Sequence, residues 1–234
     1  MKKALLALAA AAFASTATAQ IAGSPHDLSG GYNGNAAQLG SCQFCHAPHY
    51  GNVSSPNGGL PADGYAQIPL WNRRTPNTAA YSLYTNVAGW SGNLGTGSYT
   101  CLSCHDGVSD MGNTFRGTPG FAGAVPMRQT VPANIGGTWD GNTNTYVPPS
   151  GGVTDLRDDH PVGVFYSGSG AGYGAGGNNY NQNANVTAAG LKLYSRGAQA
   201  TVECGSCHDP HNQFISSRFL RIAATALCGT CHLK

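Results

Sequence analysis

Between Ser41 and Tyr50 the chain reads SCQFCHAPHY, two cysteines, two histidines and a proline in ten positions. A near copy, ECGSCHDPHN, occupies residues 203–212. All eight cysteines fall into four units of the form Cys-x-x-Cys-His: Cys42, Cys45 and His46; Cys101, Cys104 and His105; Cys204, Cys207 and His208; Cys228, Cys231 and His232. Random placement would give about 0.01 such units at this composition, and four are present. Two thiols three residues apart on one helical turn can reach the two vinyl groups on one edge of a porphyrin and form thioethers. The histidine that follows turns its imidazole under the ring to the iron, so one segment supplies both attachment and an axial ligand. A tetrahedral zinc site or a redox disulfide would also use Cys-x-x-Cys, but neither calls for histidine at the fifth position four times over. The spacing predicts four covalently bound c-type haems.

Eight histidines are present, and four lie outside these units: His26, His49, His160 and His211. The match in number predicts two histidine ligands for every iron. Met111 and Met127 are the methionines beyond Met1 and the alternative sixth ligands; either would raise its haem's potential. His49 follows His46 by three residues, and His211 follows His208 in the same way. Side chains at i and i+3 leave one face of a turn, whereas two axial ligands must approach an iron from opposite faces. His49 and His211 are therefore expected to serve neighbouring haems, with Pro48 and Pro210 fixing φ beside them. The third and fourth units follow each other most closely in sequence, which would let His211 serve the fourth haem.

The elements that must position these groups are sparse. Charged residues make up 9% of the chain and glycine numbers 34, so sustained amphipathic helices are not expected. The stretch 168–183, GSGAGYGAGGNNYNQN, reads as a flexible linker. The expected architecture is mostly irregular coil, with short helices at the attachment sites and few strands, near 143–148, wrapped around a row of haems. Residues 20–234 form one domain in this reading, and 106–203 is a long Gly/Asn-rich outer sheath. Each haem adds a large apolar disc to a chain with little core of its own, so the apoprotein should be largely unfolded.

Residues 1–19 read as a secretory signal peptide: Lys2 and Lys3, an apolar run from Ala4 to Ala14, and the small-residue site Ala17-Thr18-Ala19. That run is too short to span a bilayer, and no membrane span is expected. Of the 12 Lys and Arg, removing Lys2 and Lys3 leaves ten against ten acidic residues. With no basic patch, nucleic acid is not an expected partner. Arg73 and Arg74 could pair with haem propionates or form a surface turn. The carboxylates of DLRDDH, residues 155–160, could orient His160 or lie in a solvated turn.

The segments CQFCHAPH, CLSCHDG, DDHPVGV, CGSCHDPH and CGTCH resemble the doubled Cys-x-x-Cys-His multihaem cytochromes. With the early SPHDLSG, the tetrahaem chain is similar to the extracellular filament-forming cytochromes called cytochrome nanowires. The resemblance covers the haem-bearing segments, about half of the mature chain, and most of 106–203 is unmatched. It implies six-coordinate haems stacked in a line, His160 as a distal ligand, and His26 reaching a haem of the adjacent subunit in a head-to-tail filament. Electron transfer rather than enzymatic turnover is then expected, at the cell surface or outside the cell, with redox proteins and extracellular electron acceptors as partners. A monomeric periplasmic carrier would close His26 onto its own chain, and a haem-based reductase would need an iron with an open position.

Overall fold

The computed structural model describes residues 21–28, 41–48, 68, 70–73, 75–76, 81–87, 89–106, 138–140, 143, 145–147, 154–166, 168, 180–216 and 218–233. His49, Arg74, Met111, Met127 and the segment 1–19 lie outside them.

Short elements follow from the composition. Helix α1 spans Thr96–His105, and two three-residue strands, β1 (Thr138–Asp140) and β2 (Thr145–Val147), pair antiparallel. Further on come β3 (Val164–Tyr166), α2 (Asn183–Ala188), β4 (Tyr194–Arg196), β5 (Gln199–Val202), α3 (Cys204–Cys207) and α4 (Ala224–Cys231). Strand β5 is central in an antiparallel sheet of order β3-β5-β4, with Val164 opposite Val202 and Tyr194 opposite Thr201. Gly197, at φ +61°, makes the turn between β4 and β5, in a backbone region open to glycine.

Among the described residues, two small buried clusters support the elements around the attachment units. One gathers Tyr84, Leu94, Tyr99, Leu102 and Leu156, and packs the apolar side of α1 against the loops before it and after residue 154. The other gathers Tyr166, Val186, Leu191 and Val202, joining the sheet to α2. Leu156, Tyr166, Val186, Leu191 and Val202 all belong to the segment 106–203 expected to be an outer sheath. Its described residues thus include core positions alongside exposed ones such as Arg157, Asn185 and Lys192. Val164, Tyr166, Leu191 and Val202 are spaced too irregularly between glycines for periodicity to reveal them; strand pairing brings them together. Leu156 sits inside the acidic DLRDDH stretch, which reads as solvated. The stretch 168–183 also contributes structure at its end, where Asn181 donates to Thr230 O at 2.9 Å.

Strand β5 runs straight into α3, and α1 docks against α3. The loop ahead of α1 is tied to the sheet through Ser91 N–H to Gly163 O (3.1 Å) and through Arg196, which donates to Asn93 O at 2.8 Å and to the Ser91 hydroxyl. The sheet thereby fixes two attachment units relative to each other. Among the described residues, no helix is long and apolar enough to cross a membrane.

Candidate haem-binding site

Each Cys-x-x-Cys-His unit closes into a helical turn. The histidine N–H donates to the first cysteine's carbonyl in His46–Cys42 (2.8 Å), His208–Cys204 (3.1 Å) and His232–Cys228 (2.9 Å), while Cys101 to His105 form the last turn of α1. A turn of this kind puts positions i and i+3 on one side, so both thiols of a unit face the same way. After the turn the chain becomes extended at His208 (φ −110°, ψ 142°) and His232 (φ −96°, ψ 123°). Single antiparallel bridges then anchor three of the histidines: His46 to Trp71, His208 to Leu220 and His232 to Tyr180.

The histidines outside the units come back to those inside them. His26 faces His105 with ring centroids 6.0 Å apart, His211 faces His46 at 6.0 Å, and His160 faces His232 at 6.4 Å. Two imidazoles bonded end-on to one metal ion, each by a bond of about 2 Å, have centroids about 6 Å apart. All three separations fit that requirement. Each pair also joins one histidine of an attachment unit to one lone histidine, as two-sided ligation demands. His208 is the attachment histidine left over, and His49 lies outside the described residues.

Backbone carbonyls select the ring nitrogen available for a metal. A carbonyl only accepts, so the ring nitrogen facing it must carry the proton, which leaves Nε2 as the free donor. His208 Nδ1 lies 2.8 Å from Arg218 O, and His160 Nδ1 lies 3.1 Å from Pro161 O. Asp155 of DLRDDH is turned to Arg157 instead of His160, forming an exposed pair with it, Nη2 to Oδ2 at 2.6 Å. His26 is stacked on Phe219 at 4.4 Å. Burial first, then the neighbouring His105, His211 and His208, lower its pKa to about 4. A ring so placed is neutral at physiological pH, the form that binds metal.

The sequence expectation for His211 requires correction. It faces His46 of the first unit, not His232 of the fourth, although its own unit lies close to the fourth in sequence. Position along the chain is a poor guide here because His208 turns the chain into extended backbone, sending His211 away from α4. Asp209 helps hold it there: Oδ1 accepts the His211 N–H at 3.0 Å, and Oδ2 receives Arg221 Nη1 at 3.1 Å. Within the single chain, the His26 imidazole lies against His105.

The attachment cysteines lie close to one another in sequence order. Cys45 is pushed up to about 12 by burial first and then by Cys104. The neighbouring Cys204 raises Cys101, and Cys101 lowers Cys204; the Cys101 thiol itself donates to Gly97 O at 3.6 Å. Cys207 is pushed up to about 11 by burial and next by Cys231. Cysteines of the first and second, second and third, and third and fourth units are thus near enough to affect one another's protonation. The eight cysteines are free of disulfide bonds.

Charged and aromatic groups at these junctions were only partly legible beforehand. Arg73 is buried, not part of a surface turn; its Nε and Nη2 donate to Ser103 O at 3.2 and 3.1 Å, inside the second unit. Trp71 donates to Ser103 Oγ at 3.2 Å and meets His46 edge-on at 5.7 Å. Trp90 packs against Tyr84 in ordinary core fashion. Sequence reasoning missed Arg221, which donates to Gly205 O at 2.9 Å as well as to Asp209. It also missed Glu203, whose signal was its uniqueness: the chain has no other glutamate.

Residues 197–234 match the family model described as the doubled CXXCH motif, a segment that holds the third and fourth units. No curated protein matches the chain. The motif match indicates covalently bound c-type haem and, with it, a multihaem c-type cytochrome.

Proposed function

We propose that this chain is an exported electron carrier holding four c-type haems, each clamped between two imidazoles. The observation that carries the reading is the convergence of three histidine pairs, His46 with His211, His105 with His26 and His232 with His160, at separations of 6.0, 6.0 and 6.4 Å. By count, His49 completes the remaining site with His208. The eight cysteines fix the cofactors covalently. When bound, haem iron supplies reversible one-electron chemistry.

The residues around it decide what that chemistry is used for. A histidine on each face leaves no coordination position for a reactant, so the chain carries charge and is not an enzyme. The nearness of successive attachment units supports a path running in sequence order from the first to the fourth. Histidine on both sides favours low potentials, suited to passing respiratory electrons to redox partners and on to acceptors outside the cell.

His26 lying against its own chain's His105 supports a carrier complete within one polypeptide. Head-to-tail assembly into a filament, the arrangement that the resemblance implies, would then rest on contacts other than His26.

Pyridine haemochrome analysis combined with intact mass tests the reading. Four haems per chain, with no carbon monoxide adduct on reduction, is the expected result. Fewer than four, or ready binding of carbon monoxide, would overturn it.

A further inference from the structure

Glu203 is the single glutamate of the chain, it is 1% exposed, and it stands immediately before Cys204. Burying a carboxylate costs several kcal/mol unless hydrogen bonds replace its water, and here they do. Oε2 accepts the Gly95 N–H at 3.0 Å and the Ser98 hydroxyl at 2.6 Å, while Oε1 accepts the Thr201 hydroxyl at 3.0 Å. The Ser206 N–H also donates to this carboxyl group, and the Ser206 hydroxyl receives the Glu203 N–H at 2.9 Å. Ser98 Oγ is committed as well: it accepts the Cys204 N–H at 3.0 Å, so its own proton points to Glu203. Donors thus fill both carboxyl oxygens, the arrangement of an ionised carboxylate.

The position of this charge is specific. Ser98 is 105 residues from Glu203 in sequence and three before Cys101, on the helix that docks against α3. Gly95 leaves the room required, since a Cβ there would collide with the Glu203 carboxylate. The carboxylate therefore ties the start of α1, the helix that carries the second unit, to Ser206 inside the third. Neither Arg73 nor Arg221 donates to it: Arg73 grips Ser103, and Arg221 grips Gly205 and Asp209.

We propose that Glu203 is a positioning residue that also acts electrostatically, clamping the second and third attachment units together and lowering the reduction potentials of the two haems they hold. A fixed negative charge in a poorly hydrated site favours the ferric over the ferrous state, and screening by salt is weak there. The inference rests on the haem-carrier reading, which haem counting on the wild-type protein tests separately.

The experiment is a spectroelectrochemical titration of the intact protein and of Glu203→Gln, which removes the charge and keeps the shape. With haem content equal to wild type, two of the four midpoints should move to more positive potential and two should stay. Unmoved midpoints at full haem content would overturn the proposal. If Glu203→Gln does not load haem, the wild-type protein decides, because a ¹³C label on the glutamate side-chain carboxyl reports on Glu203 alone. A labelled carboxylate band that shifts between the oxidised and reduced infrared spectra supports the inference, and a silent band refutes it.

Discussion

The imidazoles of His46 and His211 stand 6.0 Å apart with only 17° between their planes, although one belongs to the first attachment unit and the other follows the third. In the proposed reading one chain segment supplies ligands to two sites: His208 to its own unit and His211 to a distant one. This cross-connection predicts a specific spectroscopic pattern. The other two pairs, His26 with His105 and His160 with His232, have their planes at 76° and 73°. Near-parallel axial planes split the iron's two dπ orbitals, and near-perpendicular planes leave them almost degenerate. Electron paramagnetic resonance of the oxidised protein should accordingly show a rhombic low-spin class together with a strongly anisotropic low-spin class. A single rhombic class would contradict the geometry.

The assignment of His211 can be tested directly. His211→Ala should convert one haem's worth of iron to the high-spin state. That signal should vanish when Cys42 and Cys45 are also replaced by alanine and persist when Cys228 and Cys231 are replaced instead. The opposite dependence would return His211 to the fourth site.

Because His26 lies against its own chain's His105, ligation should not depend on protein concentration. Visible spectra of the oxidised protein should remain fully low-spin on dilution through the range where any assembly dissociates. A high-spin band that grows on dilution would mean that a ligand comes from another copy.

Leu102 is 1% exposed and sits on α1 between Cys101 and Cys104, inside the cluster with Tyr84, Leu94, Tyr99 and Leu156. Leu102→Ala should destabilise the holoprotein by about 2–5 kcal/mol through lost burial and the cavity left behind. Chemical denaturation followed by tryptophan fluorescence measures it, with little change expected in the Soret band before unfolding.

Gly97 offers a sharper sign test. Alanine in place of a helical glycine ordinarily adds about 1 kcal/mol of stability. Here the new Cβ would lie 2.5 Å from Tyr194 Cζ, in the contact that docks α1 onto the sheet. Overpacking costs about 1–3 kcal/mol and should win, so Gly97→Ala should melt at a lower temperature than wild type. A higher melting temperature would show that the tyrosine yields easily.

The sequence alone determined the chemistry. Cysteine and histidine spacing depends on one helical turn, which is local geometry, so CQFCH, CLSCH, CGSCH and CGTCH could be read as attachment units without knowing where they lie. The i, i+3 relation is local too, and it keeps His211 off the turn that carries His208. Which unit receives His211 was a tertiary matter. The extended backbone at His208, the Asp209–Arg221 link and the bridge to Leu220 set its direction, and none of these leaves a periodic trace in the sequence. The same holds for Glu203: composition marks it as unique, but only the meeting of β5, α3 and the start of α1 surrounds it with donors. Long-range pairing between short strands decided the core as well, turning part of a glycine-rich segment into the support for the second and third attachment units.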